Sequence, residues 1–203
     1  AVSFIERLKL LPGVKQVTIT SNGLLLEPYL ERLKAVGIDG INISLDTMDR
    51  EKYQKITGTD GAETVLSAVL RSADMGLKTK LNCVIIKGIN DNEIFDLLEI
   101  GRQKPVDVRF IEMMPIGYGR QFTGMSGDEI LNILHTRYTG IEETKHKRGN
   151  GPARYFKIPG FLGFVGFIDA VHCNFCQQCN RIRLTPEGCL KPCLYYSRGI
   201  SLR

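Results

Sequence analysis

The sequence predicts an α/β fold: an open, curved sheet of parallel strands with helices between them, followed by an antiparallel β extension that carries a cluster of cysteines. Three observations lead there. Hydrophobic residues alternate between helical and strand periods over the first 113 positions. The pattern changes after Met114 to glycine-rich loop and short apolar runs. Five of the six cysteines then crowd between Cys173 and Cys193. The chain is accordingly divided into residues 1–114 and 115–203.

Phe4, Leu8 and Leu11 space as one helix face, which Pro12-Gly13 ends. Val14 to Thr20 reads as a strand running into the turn Ser21-Asn22-Gly23. Leu26, Leu30, Leu33 and Val36 mark the next helix, with Gly37 at its carboxyl end. Ile38 to Leu45 is a second strand, and Asp49 is placed to cap a short helix. Val65, Leu66, Val69 and Leu70 form a helix ending at Gly76. Lys78 to Ile86 is a third strand, Asn90-Asp91-Asn92 a cap, Ile94 to Ile100 a helix and Val106 to Met113 a fourth strand. Such alternation predicts βαβ crossovers and a parallel sheet, and four strands do not close a barrel. Beyond the loop Pro115–Met125, Ser126-Gly-Asp-Glu129 spells a capping box for a helix through about Arg137. Residues 141–168 alternate short apolar runs with turns, as antiparallel strands do. There is no internal repeat and no low-complexity tract.

With 203 residues and 43% hydrophobic composition the chain can bury a proper core. A net charge of +5 suits an anionic small molecule and is too mild for a nucleic-acid stripe. The main basic run, Lys145-His-Lys-Arg148, leads into Gly149-Asn-Gly-Pro152 and reads as a solvated hairpin turn. The longest apolar stretch, Phe161 to Ile168, is short and broken by Gly163 and Gly166, so no membrane span is expected. Glu6, Arg7 and Lys9 at the amino terminus do not form a signal peptide, and without export thiols read as metal ligands rather than disulfides. Opening without Met inside a helix, the chain is expected to be a fragment.

Ligands of α/β sheets sit beyond the carboxyl ends of the strands. Those ends carry Thr20-Ser-Asn-Gly23, Ser44-Leu-Asp46, Lys80-Leu-Asn82 and Arg109-Phe-Ile-Glu112-Met-Met114. Charges such as Lys80 and Arg109 are costly inside a sheet unless paired, so together these sets predict an anion pocket. The cysteines admit three metal readings. Cys173, Cys176 and Cys179 share the spacing of a ferredoxin run, without its following Cys-Pro. Cys176, Cys179, Cys189 and Cys193 make a four-thiolate zinc site. Three cysteines holding an iron–sulfur cluster leave one iron open to a substrate, a role for which Arg181 and Arg183 are well placed. Cys83 reads as a core residue, and His172 borders the cluster and could serve as a further ligand.

The segment Phe175-Cys176-x2-Cys179-Asn180-Arg181-x-Arg183-Leu184-Thr185-x2-Gly188-x-Leu190-x2-Cys193-Leu194 resembles that of the GTP 3′,8-cyclases of molybdenum cofactor biosynthesis (MoaA family). These are radical S-adenosylmethionine (SAM) enzymes. Thr18-x-Thr20-x-Asn22-Gly23, Asn42-Ile-Ser44-Leu-Asp46, Lys87-Gly88-Ile-Asn90-Asp91 and Arg109-Phe110-Ile-Glu112-x-Met114 are similar to upstream blocks of the same family. The resemblance implies a partial radical SAM βα barrel. It implies a [4Fe–4S] cluster on Cys176, Cys179 and Cys193, with Cys173 and Cys189 as bystanders. It implies GTP contacts from Thr20, Lys80, Arg109, Arg181, Ile182 and Arg183, and SAM contacts from Ser44 and Met114. No single catalytic residue is assignable. A homodimer, a cyclic pyranopterin monophosphate synthase acting on the product, and a cytoplasmic or mitochondrial location are further implications. The family's Cys-x3-Cys-x2-Cys and Gly-Gly-Glu-Pro motifs are absent from these residues, as is its terminal Gly-Gly, so the expectation is a part of such an enzyme that places GTP without starting the reaction. A zinc-stabilised binding module and another radical SAM enzyme, for instance a peptide-modifying one, are the alternatives.

Overall fold

Strand residues alternate between a face packed under helices and a face left open, and this alternation organises the molecule. The structure is a computed structural model and describes residues 1–145, 148–171, 179–193 and 199–203. In chain order the elements are α1 (Val2–Lys9), β1 (Thr18–Ser21), α2 (Leu30–Ala35), β2 (Gly40–Ser44), α3 (Arg50–Thr57) and α4 (Ala62–Asp74). There follow β3 (Thr79–Val84), α5 (Ile94–Gln103), β4 (Val106–Ile111), α6 (Gly127–His135), β5 (Glu142–Glu143), β6 (Arg154–Lys157) and β7 (Val165–Ile168). Three short strands end the chain: β8 (Arg183–Leu184), β9 (Cys189–Lys191) and β10 (Ile200–Ser201).

The main sheet has the order β1-β2-β3-β4-β7-β6-β5. β1 to β4 are parallel as the sequence predicts, and β7 adds a fifth parallel strand beside β4. The expected antiparallel extension thus joins the parallel sheet through its last strand. β5, β6 and β7 pair antiparallel in turn, as expected, and β7 also lies parallel to β4, which it reaches by a long crossover through α6, β5 and β6. One sheet thus runs through both sides of residue 114. β8, β9 and β10 form a separate antiparallel sheet.

Ile41, Ile43, Leu81, Cys83, Val108, Phe110, Val165 and Phe167 fill the covered face. Leu30, Leu33, Val65, Val69, Leu97, Leu98, Ile130 and Leu134 meet them from the helices. Cys83 is fully buried, as expected of a core residue, and burial pushes its thiol well above the ordinary range. Two glycines make this packing possible. Gly23 has φ +82°, and a β-carbon there would lie 2.7 Å from a Val65 methyl. A β-carbon on Gly163 would lie 1.9 Å from the Val106 carbonyl oxygen.

Three local expectations are corrected. α1 buries Val2 and Ile5, with Leu8 partly packed, while Phe4 and Leu11 face solvent. A helix buries one stripe, and packing against the core selects the one about a residue out of phase with that read from the sequence. The first strand covers only Thr18–Ser21, because residues 11–16 lie exposed. Asn90 stands at the N-cap position of the short 3-10 turn Asp91–Glu93, but its side chain makes no capping bond; fully buried, it donates to the carbonyls of Asp46 (2.6 Å) and Val84 (2.9 Å) and accepts from the Ile86 N–H (2.7 Å). The expected caps at Asp49 and Ser126 are present, the latter as a complete capping box with Glu129. No helix among the described residues is long and apolar enough to cross a membrane.

Candidate active site

Register places the polar residues of the open face in two rows. Thr20, Asn42, Lys80 and Asp107 stand opposite one another across β1 to β4. Ser44, Asn82, Arg109, Gly166 and Tyr155 form the row nearer the carboxyl ends. Side-chain hydrogen bonds knit the rows. Arg109 donates Nε to Asn82 Oδ1 at 2.8 Å and an η-nitrogen to Asn42 Oδ1 at 2.8 Å. Asn42 in turn donates to the Ile19 carbonyl (3.1 Å) and to Thr20 Oγ1 (3.3 Å). The Arg109 charge is thus held by neutral amides, which orient the guanidinium without neutralising it.

Lys80 has the same character. Its ammonium donates to the Arg148 carbonyl and to the Tyr155 hydroxyl (3.0 Å), and it has no carboxylate partner among the described residues. The loop bearing Arg148 rises between β5 and β6 and overhangs this part of the sheet. Arg148, expected to be solvated, is instead half-buried. It grips Asp107 through two bonds (3.0 and 2.9 Å) and stacks on Phe164, with its guanidinium carbon 3.7 Å from the ring centroid. Tyr155, Asp107 and Arg148 are the members of the site that the sequence did not mark. The signal available was a lone acid between apolar neighbours, Val106-Asp107-Val108, which demands a cation.

The same overhanging loop forms one wall of a cleft of about 450 Å³, lined also by Cys179, Asn180 and Arg181. Arg181 comes close to Gly151, and neither Arg181 nor Arg183 has an ion-pair partner among the described residues. Arg183 opens β8, where it pairs with Lys191, and Ile182 between the arginines is exposed. Cys189 lies in β9, and the half-buried Cys193 lies two residues past that strand. Cys176 lies outside the described residues, as do Cys173 and His172. Among the described residues no three Cys, His, Asp or Glu side chains converge. Ser44 ends β2, and Met114 lies three residues past β4, both half-buried at the carboxyl rim of the sheet. The rim itself is pinned by Asp46, which accepts from the Val84 N–H at 2.8 Å while burial raises its carboxyl above the usual range. The structure therefore brings Thr20, Lys80 and Arg109 onto one face and places Cys179 and Arg181 on a cleft beside that face's overhanging loop.

Residues 1–100 match the family model of the radical SAM superfamily, and residues 106–203 match that of Molybdenum Cofactor Synthesis C. The chain belongs to the radical SAM superfamily, with the molybdenum cofactor synthesis domain as its second half. Among its relatives is the GTP 3′,8-cyclase of Clostridium perfringens strain SM101, 40% identical over 202 residues that cover all of this chain and 62% of the relative. That of Alkaliphilus oremlandii is 39% identical over 205 residues, covering 99% and 62%. Molybdenum cofactor biosynthesis protein 1 of Drosophila melanogaster is 39% identical over all of this chain and 36% of its own length. The chain thus spans under two thirds of the length of these relatives. A domain of a pyruvate-formate lyase-activating enzyme from Bacteroides vulgatus shares the fold, with a TM-score of 0.54 at 16% identity, over 66% of this chain and 83% of that one.

Proposed function

We propose that this chain is the GTP-placing part of a GTP 3′,8-cyclase, which converts GTP to (8S)-3′,8-cyclo-7,8-dihydroguanosine 5′-triphosphate in molybdenum cofactor biosynthesis. The observation that carries this reading is the set of cations left without counter-charge. Lys80 and Arg109 are oriented by neutral groups, and Arg181 lines the cleft beside Cys179. Such an arrangement is matched to a polyanion rather than to a metal alone, because charge-assisted bonds form where the cation is not already neutralised. Thr20, Ile182 and Arg183 complete the nucleotide contacts, and Ser44 and Met114 at the rim receive SAM.

Cys176, Cys179 and Cys193 would hold a [4Fe–4S] cluster, and the soft donor set fits one. Of the described members, Cys179 is exposed beside Arg181 and Cys193 is half-buried. When bound, SAM and its own cluster supply the radical that removes the C3′ hydrogen of GTP. The chain's residues orient the nucleotide so that C3′ and C8 meet, an effect worth several kcal/mol of barrier. The division at residue 114, a homodimer, a location in the cytoplasm or mitochondrion and a downstream cyclic pyranopterin monophosphate synthase belong to the same reading. The test is anaerobic reconstitution followed by iron, labile-sulfide and zinc analysis, with GTP titration. About four irons per cluster are expected, with a spectrum that GTP perturbs. Zinc without sulfide, or indifference to GTP, would sink the proposal.

A further inference from the structure

Lys80 and Asp107 are direct register partners on adjacent parallel strands. Their backbones are separated by about 4.8 Å, the ordinary spacing of neighbouring strands. Opposite charges placed so would ordinarily form an ion pair, and the lysine would then be neutralised before any ligand arrived. They do not pair here. Both Asp107 oxygens are taken by Arg148, and one also accepts from the Phe164 N–H at 3.3 Å. Phe164 seats Arg148 from the side, and its ring also receives Lys157 at 4.7 Å. Lys80 turns instead to two uncharged acceptors, the Arg148 carbonyl and the Tyr155 hydroxyl. An ammonium has three donors, so one remains for a ligand.

We infer that Arg148 is a positioning residue for the anion site: it sequesters Asp107 and thereby leaves the Lys80 ammonium without a counter-charge and available to the substrate's phosphates. The inference rests on the reading of Lys80 as a phosphate contact. Arg148 touches no reacting atom; it acts by removing a competitor for Lys80. A merely structural ion pair behaves differently, since losing either partner of such a pair is harmful.

The experiment compares wild type, Arg148→Gln, Asp107→Asn and the double variant, each checked by thermal unfolding. One arm follows the Lys80 ammonium by NMR titration of labelled lysine, assigned with Lys80→Gln. The other measures GTP binding by calorimetry. In Arg148→Gln the freed Asp107 turns to Lys80, so the ammonium's proton affinity rises about tenfold. GTP affinity falls about tenfold, the size of one charge-assisted hydrogen bond. In Arg148→Gln/Asp107→Asn both return to within about twofold of Asp107→Asn. The inference is overturned if Lys80 does not respond to Arg148→Gln, or if the double variant binds as weakly as the single. A tenfold loss of GTP affinity in Asp107→Asn alone also overturns it, and that arm stands where Arg148→Gln does not fold. Should Lys80 respond as expected while no form, wild type included, binds GTP, the sequestration holds and the GTP reading fails.

Discussion

Asn90 shows how much a single buried amide can hold. Its side chain satisfies the carbonyl ending the β2 rim, the carbonyl of the last β3 residue and the N–H of Ile86. Backbone groups at a strand's carboxyl end have lost their ladder partners and cannot be left dry. Asn90→Ala is expected to cost about 3 kcal/mol, because three buried polar groups lose their partner together. Urea unfolding of the two forms measures it, and a change below about 1 kcal/mol would show that water replaces the amide. Glu93 works in the same region. Burial pushes its carboxyl up, but Lys52, the Thr47 hydroxyl and the Met48 N–H outweigh this and hold it below 4.5.

At the scale of elements, α6 is fixed at its amino end. Ser126 and Glu129 exchange capping bonds, Glu129 pairs with Lys87 at 2.6 Å, and the Gly127 N–H donates to the buried Asp169. The Lys87 ammonium and the Ser126 N–H lower the Glu129 carboxyl to about 2 from its ordinary 4.5. A depressed carboxylate contributes stability that is complete above 4.5 and is lost as pH falls toward about 2. The melting-temperature gap between wild type and Glu129→Gln should therefore close across that window and stay constant above it. Much of Glu129 is exposed, so the gap is small. Ser126→Ala should cost about 1 kcal/mol at neutral pH, as caps do. The contact between the β6–β7 connection and β4 is stricter. Gly163→Ala would force a methyl into the Val106 carbonyl and is expected to cost about 3 kcal/mol through backbone displacement. A melting temperature unchanged in Gly163→Ala would refute the close approach.

Taken whole, the molecule has one covered face and one open face that carries cations without acidic partners among the described residues. Helices seal one face of the sheet, and the other presents Thr20, Asn42, Arg109 and Lys80 under the loop that ends at β6. The cysteine segment approaches that loop through Cys179 and Arg181. Ligation by Cys176, Cys179 and Cys193 would tie the segment down, so Cys179→Ser and Cys193→Ser should lose iron on reconstitution, whereas Cys83→Ser and Cys189→Ser should keep it. Retention of the full complement by Cys193→Ser, read by iron analysis, would remove that residue from the ligand set. On the proposed reading the ligand is an anion, so GTP affinity should also fall with rising salt.

The four parallel strands, the helices between them and the capping box were legible in the sequence because each depends on residues near one another. Hydrophobic period, glycine stops and cap chemistry act within a few positions. The thiol spacing and the Arg181-x-Arg183 pair were legible for the same reason. What surrounds Lys80 was not. Asp107 meets it only through strand register, and Arg148 arrives from 68 residues away along the chain. The stripe buried by α1, the partners of Asn90 and the parallel seat of β7 likewise follow from which surfaces meet. By itself the sequence determined the elements and the chemistry available to them. Only the tertiary structure decided which charges are neutralised and which stay open, because an ion pair is set by distances between strands and loops that no local pattern encodes.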